Sequence, residues 1–291
     1  MNIVSYLYSG TKLAECIRSI LVVMGIQKIY NIFNMRKLNT HPTENMYRAR
    51  EFYNANINRI ENVRNMLADE KSKTVLTKLI HMRQYYDVKD IPPYNHFDQY
   101  FPKDIITFND RECFLDCGAF NGYTSIEFIK RCPQYKRIVL FEPQKDIIPD
   151  LQKRMKKYKN IFIIPKGCSN RENEAILSLA GESSTVVCAQ QQTTNNKQQT
   201  TLVSLTAIDA CLESKEATFI KMDIEGLEYD ALQGAKEIIQ NNKPKLAISI
   251  YHSDEDMLRL AEYIHELVPE YKLFIRAHRP GIAETVLYAV I

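Results

Sequence analysis

The stretch Phe114-Leu115-Asp116-Cys117-Gly118-Ala119-Phe120-Asn121-Gly122-Tyr123-Thr124-Ser125 decides the fold. An apolar run ends in an acid, passes through a glycine turn and restarts as a helix, the layout of a strand feeding a helix across a ligand crevice. Gly118 lets the backbone approach a ligand closely, and Asp116 can receive a ligand ammonium directly or through water. The following loop and helix start, through Ala119, Phe120, Asn121 and Thr124, present amides suited to a carboxylate. A dinucleotide fits this loop less well. The NAD fingerprint requires G-x-G-x-x-G, and Phe120 stands where the second glycine belongs, obstructing a pyrophosphate. A nucleoside with an amino-acid tail is the better ligand, with a plain strand-turn-helix as the bland alternative.

Working outward, Ile138-Val139-Leu140-Phe141-Glu142-Pro143 ends a second apolar strand in an acid, and Glu142 is placed to accept both ribose hydroxyls. Lys166-Gly167-Cys168 follows a third strand, where the backbone of Gly167 and Cys168 either borders an adenine or makes a simple turn. Further on, Phe219-Ile220-Lys221-Met222-Asp223-Ile224-Glu225-Gly226-Leu227-Glu228 repeats the scheme of a strand running into acids, a glycine and a helix. Together the three segments resemble the FkbM family of methyltransferases, whose hallmark K-M-D-I-E-G-x-E follows a D-C-G-A-x-x-G-x-T cofactor loop. The resemblance runs from Gln99-Tyr100-Phe101 to the C-terminus. It implies a class I methyltransferase fold, S-adenosylmethionine as cofactor, and O-methylation of a sugar, a glycan precursor or another hydroxyl-bearing small molecule. The family's cofactor positions fall on Asp116, Gly118 and Glu142, whereas Asn121 and Tyr123 stand where acids are frequent in such proteins.

In-line methyl transfer needs an acceptor oxygen held behind the methyl carbon and a group to remove its proton. Asp223 and Glu225 follow the fourth strand and His252 follows the fifth, so all three are expected on the cofactor side of the sheet. His252 or Glu225 is the expected general base, with Asp223 positioning cofactor or acceptor. A capping imidazole and a solvated helix-start acid are the bland readings of His252 and Glu225. The same donors also suit a divalent cation.

The period of the pattern divides the chain. Residues 1–110 read as a helical extension and connector, with Ile57, Ile60, Val63 and Leu67, then Val75, Leu76, Leu79 and Ile80, at helical spacing. From 111 to 291, strands are expected at 113–117, 137–141, 161–164, 217–222, 245–250, 272–276 and 285–290. Helices are expected at 123–131, 145–156, 227–240 and 253–267. This alternation predicts an α/β, Rossmann-like domain: a seven-stranded, mostly parallel sheet with helices on both faces. Residues 190–199, rich in Gln, Thr and Asn, read as a polar loop between two β-like pieces.

The chain has 291 residues, 45% hydrophobic and 25% charged, enough to bury a substantial core. Its net charge of +3 is too balanced for a dedicated nucleic-acid binder, and no nucleic-acid partner is expected. Asp90-Ile91-Pro92-Pro93-Tyr94 only superficially echoes the D-P-P-Y signature of nucleic-acid amino-methyltransferases. Seven scattered cysteines without metal spacing predict reduced thiols, no bound metal and a cytoplasmic location. The apolar run from Ile20 to Ile26 is too short to span a membrane, and no signal peptide is read. Basic residues between 12 and 37 leave open a helix lying on an anionic membrane surface, with packing on the catalytic domain as the simpler expectation. A catalytically silent nucleoside-binding module acting through the extension is the rival reading from another class.

Overall fold

Among the residues that the computed structural model describes, 43–180, 183–188 and 199–291, three α-helices precede the first strand. They are α1 (Glu44–Ala55), α2 (Ile57–Met66) and α3 (Glu70–Tyr85). The domain proper begins with β1 (Cys113–Cys117), α4 (Tyr123–Arg131), β2 (Arg137–Phe141), α5 (Ile148–Met155) and β3 (Ile161–Ile164). Four further strands follow, β4 (Gly167–Cys168), β5 (Asn173–Ala180), β6 (Ser183–Cys188) and β7 (Gln199–Thr206). The chain then forms β8 (Phe219–Met222), α6 (Glu228–Gln233), α7 (Lys236–Asn242), β9 (Lys245–Ser249), α8 (Asp256–Leu267), β10 (Lys272–Ala277) and β11 (Thr285–Val290). The expectations for residues 12–37, and for residues 190–198 of the polar loop, lie outside the described residues, while Gln199 begins β7. No helix among the described residues is long and apolar enough to cross a membrane.

Seven strands form one sheet in the order β10-β11-β9-β8-β1-β2-β3, as the alternation predicts. β1, β2, β3, β8 and β9 run parallel, and β11 is antiparallel to both its neighbours. Every residue of β1 and β8 is buried, as parallel strands covered on both faces require. Alternate β1 side chains serve different cores. Phe114 joins Phe101, Phe128 and Phe219 on one face, stacked on Phe128 at a centroid distance of 4.4 Å. Leu115 and Cys117 join Ile220, Met222 and the aliphatic side chains of α3 and α8 on the other. Because β1 pairs with β2 on one side and β8 on the other, the chain order reverses there, which opens a crevice at the strands' C-terminal ends.

The structure adds a second sheet, β4-β7-β5-β6. Its inner face carries Ala175, Leu177, Val203 and Leu205, and Leu227 packs against them. The small sheet therefore sits at the mouth of the crevice, beside the turn that follows β8. The single helix expected over 227–240 is two. Gly234 passes so close to the backbone of Ser169 that a Cβ there would lie 2.0 Å from the Ser169 carbonyl oxygen. The Asp209 carboxylate then accepts hydrogen bonds from the Glu237 and Ile238 amides at 2.9 and 3.0 Å and starts α7 afresh. The five described free cysteines are Cys113, Cys117, Cys132 and Cys168, all buried, and the half-buried Cys211.

The extension shares the domain's core rather than standing apart from it. Val75, Leu76, Leu79 and Ile80 of α3 are buried as their spacing predicts, but on α2 Ile57 is 60% exposed and only Val63 is fully covered. Met46, Ala49 and Tyr53 of α1 complete the contact. The polar anchor is Arg276 on β10. Its guanidinium donates to Asp69 at 2.7 Å, to Asp104 at 2.9 Å and to the buried Ser72 hydroxyl at 2.8 Å. Asp69 is also the N-cap of α3, accepting from the Ser72 amide at 2.8 Å. One arginine thus ties helix start, connector and sheet edge together. Arg276→Met is expected to cost about 2 kcal/mol, the scale for a hydrogen bond to a charged group, read as a lowered urea midpoint by circular dichroism.

Candidate active site

At the crevice floor a buried lysine holds the end of β1. Lys221 of β8 donates to the Cys117 carbonyl at 3.1 Å and the Gly118 carbonyl at 2.9 Å. Its ammonium lies 3.1 Å from Asp116 Oδ1, an ion pair out of line for a hydrogen bond, and 5.3 Å from the centroid of the Tyr100 ring. The other Asp116 oxygen accepts from the Ser125 hydroxyl of α4 at 2.7 Å. Burial works to lower the Lys221 pKa, but Asp116 and then Asp223 outweigh it and the shift is upward. The Asp116 carboxylate is completely buried and faces protein groups. It positions the loop that follows.

That loop is built around close approaches. A Cβ on Gly118 would lie 2.0 Å from the Asp223 carbonyl oxygen, and the residue has φ +80°, so glycine is required where the turns after β1 and β8 cross. The amides of Gly118 and Ala119 both donate to the Phe141 carbonyl at 3.0 Å. Phe120, with φ +46° and 56% exposed, donates its amide to Glu142 Oε2 at 2.7 Å. Asn121 Oδ1 accepts from the Tyr123 amide at 3.0 Å and so closes the first turn of α4, where Thr124 is half-buried.

Glu142 is almost wholly buried, and its second oxygen accepts from the Gln144 amide at 2.8 Å. Burial pushes its pKa up despite these two amides. A buried carboxylate with acceptor capacity to spare suits a vicinal diol, whose hydroxyls would donate to it, so the residues fit a ribose-bearing cofactor. Gly167 and Cys168 are not the plain turn that was the alternative to an adenine border. They form β4, pair in parallel with Leu205 and Thr206, and bury the Cys168 side chain in the main core. Only the backbone of Gly167, beside Pro143, stays near the Glu142 end of the crevice.

Across the crevice, the turn after β8 and the loop after β9 meet as predicted from the strand ends. Asp223 accepts from the Tyr100 hydroxyl at 2.8 Å and the Tyr251 hydroxyl at 3.0 Å. His252 Nε2 lies 3.6 Å from Asp223 Oδ1 and 3.7 Å from Glu225 Oε2, while Nδ1 lies 3.1 Å from Glu228 Oε1. Burial alone would lower the His252 pKa, but Glu228, then Asp223 and Glu225, hold it at about 9. Burial lifts the Glu225 carboxyl to about 7, with His252 opposing and Asp223, Glu228 and Glu284 adding to the rise. Glu225 and Gly226 both have positive φ, 59° and 97°, so the turn is strained at the residue that presents a carboxylate to the imidazole. Sequence reasoning missed Tyr100, Tyr251 and Glu228. Tyr251 adjoins His252 and Glu228 closes the K-M-D-I-E-G-x-E run, but nothing in the spacing placed the connector residue Tyr100 over Asp223.

The methyltransferase FkbM domain profile matches residues 116–271, which include the cofactor loop, Glu142, the Asp223 turn and His252. The chain belongs to the FkbM methyltransferase family. Its cofactor is accordingly S-adenosylmethionine. A crystal structure of methyltransferase FkbM from Methylobacillus flagellatus KT is 27% identical, covers 82% of this chain and superposes with a TM-score of 0.69. The match takes in only 60% of that protein's length. More distant are a methyltransferase from Streptococcus mutans solved with SAH, 11% identical, with 64% of this chain and 92% of that one covered at a TM-score of 0.39, and fibrillarin from Aeropyrum pernix with natively bound S-adenosyl-L-methionine, 13% identical, with 65% and 71% covered at 0.37. No curated protein matches the chain.

In this FkbM protein each polar residue of Lys-Met-Asp-Ile-Glu-Gly-Leu-Glu has a distinct task. Lys221 ties down β1, Asp223 gathers two phenols, Glu225 faces the imidazole and Glu228 accepts the amides of the turn. The glycine of the cofactor loop gives a direct test. Gly118→Ala must displace the Asp223 carbonyl or abandon its φ, an expected stability cost of about 1–3 kcal/mol. S-Adenosylhomocysteine binding, measured by calorimetry on the folded fraction, is expected to weaken at least in proportion.

Proposed function

We propose that the protein is an S-adenosylmethionine-dependent O-methyltransferase acting on a sugar, a glycan precursor or another small hydroxyl-bearing acceptor. The observation that carries this reading is the convergence of a buried carboxylate with acceptor capacity to spare, Glu142, and a solvent-shielded imidazole set among carboxylates, all at the switch point of one sheet. S-Adenosylmethionine, when bound, supplies a methyl group activated by its sulfonium. The protein's own residues must then orient the acceptor and take its proton.

Methylation of a hydroxyl forms a carbon–oxygen bond as the carbon–sulfur bond breaks, with the electron pair staying on sulfur and the hydroxyl proton leaving. In this reading the Glu225 and His252 pair takes that proton. Asp223, each of whose oxygens already accepts from a phenol, serves to position rather than to deprotonate. Tyr100 and Tyr251 are poor bases and firm donors, since burial raises both phenols above their ordinary value. The acceptor comes from a class whose reactive hydroxyl fits between these groups.

Two measurements test the proposal. Calorimetry should show S-adenosylhomocysteine binding to the wild type and its loss in Glu142→Ala; a folded wild type that binds none would refute the assignment. Turnover against an acceptor panel should rise with pH in two limbs, near 7 as Glu225 loses its proton and towards 9 as His252 does. Glu225→Gln should remove the lower limb, and His252→Ala should lower turnover about 10²- to 10⁴-fold, the usual worth of a general base. Near wild-type rates in both variants would exclude the pair as base.

A further inference from the structure

The last acid of the turn after β8, Glu228, is a buried group that the reaction just described does not use. Its side chain is completely buried at the start of α6. Oε1 accepts from the Ile224 amide at 2.8 Å and Oε2 from the Gly226 amide at 3.0 Å, so one carboxylate clamps both ends of the strained turn that contains Glu225. The same Oε1 lies 3.1 Å from His252 Nδ1.

We infer that Glu228 is the positioning residue of this site, fixing His252 through Nδ1 while holding the turn that aims Glu225 at Nε2. The inference rests on the reading of His252 and Glu225 as the proton-accepting pair. A carboxylate at Nδ1 selects the tautomer in which Nδ1 carries the proton and leaves Nε2 to exchange one with an acceptor. Nε2 has no aligned hydrogen-bond partner and is shielded from solvent, as a position reserved for a substrate would be. Nδ1 is likewise close to Glu228 but out of line, a looseness common in catalytic hydrogen bonds before substrate binds.

The groups facing the imidazole come from several elements. Asp223 and Glu225 lie on the turn after β8, Glu228 on α6 and Tyr251 beside His252 itself. Glu284, before β11, adds its charge to Glu225 and Tyr251. Asp254 on the same loop is occupied by Arg83 of α3 at 3.0 Å and the Tyr53 hydroxyl at 2.9 Å. Of the three carboxylates within reach of the ring, only Glu228 is both fully buried and on the Nδ1 side.

The test compares wild type, Glu228→Gln and Glu228→Asp by nitrogen-15 spectroscopy of the His252 ring, which needs no acceptor, alongside S-adenosylhomocysteine binding and turnover. Glu228→Gln is expected to keep S-adenosylhomocysteine binding, to lower the His252 titration midpoint by about one unit or more, and to reduce kcat while leaving KM nearly unchanged. Glu228→Asp, which restores the charge on a shorter arm, should recover part of both effects. A folded Glu228→Gln protein in which His252 titrates and tautomerises as in the wild type would overturn the inference, even if kcat fell. It would also be overturned if a chelator reproduced the kcat loss, since a cation held by Asp223, Glu228 and His252, whose donor atoms lie within 4.8 Å of one another, would then be doing the positioning. Absence of S-adenosylhomocysteine binding by the wild type refutes the proposed function instead, and leaves the ring titration as an independent result.

Discussion

The site depends first on a single buried ammonium. Taking Lys221 out of water costs several kcal/mol before any compensation, and the sequence supplies that compensation from separate segments: Asp116 and two carbonyls from the end of β1, with the face of the Tyr100 ring beyond them. The pairing fixes the register of β1 against β8 at the level where the cofactor loop departs. It also explains why the acid of the D-C-G motif is inaccessible. Asp116 is the counter-ion of Lys221 and the acceptor of Ser125, so strand, neighbouring strand and following helix converge on one carboxylate. Removing the charge from either partner would leave the other buried and alone, which is the costly case for such a pair.

Above that floor the balance of charge reverses. Asp223, Glu225 and Glu228 surround one imidazole, and Glu284 adds a fourth negative charge nearby. Burial makes the arrangement responsive to protons rather than merely acidic, since it lifts the Glu225 carboxyl to about 7 while the surrounding carboxylates hold the imidazole at about 9. The site can hold this tension because its geometry is set by backbone. Two turns with left-handed residues cross at Gly118, and Glu228 spends both its oxygens on amides of the second turn.

Much of this was legible in the sequence, and what was not has physical reasons. Strands at 113–117, 137–141, 161–164 and 285–290 fall where the apolar runs place them, because buried parallel strands must be continuously apolar and end at polar turns. Glu142, Asp223, Glu225 and His252 were findable because strand ends on one edge of such a sheet converge. The break at Gly234 depends on the backbone of Ser169, far away in the chain, and periodicity cannot report it. The second sheet escaped because its inward residues, Ala175 and Leu177 against Val203 and Leu205, alternate too briefly to show a period. The burial of Asp116 escaped for a similar reason, since Lys221 reads as one more charged residue until its strand is placed beside β1.

The extension matters to the site through the loop that carries His252. Arg83 of α3 pairs with Asp254 at 3.0 Å and donates to the Tyr251 carbonyl at 2.5 Å, and Tyr53 of α1 donates to Asp254 at 2.9 Å. Arg59 of α2 bridges Glu255 and Glu262 at 2.8 and 2.7 Å. All three helices therefore grip the segment beginning at Tyr251, while the connector sends Tyr100 to Asp223 from the other side. Tyr100 is itself fixed at its amide by the Tyr288 hydroxyl, 3.2 Å away, which His278 Nε2 contacts at 2.8 Å. Burial holds the His278 pKa down to about 4, and its Nδ1 faces the Asn95 carbonyl at 2.7 Å. Nδ1 must then carry the proton and Nε2 accept from Tyr288, leaving the tyrosine oxygen to receive the Tyr100 amide. A neutral histidine on β10's trailing edge thus sets the position of a phenol in the crevice. The Glu142 side of the crevice is built by the strand ends and the loop that leads into α4, whereas the His252 side is held by groups that the extension and connector lock in place.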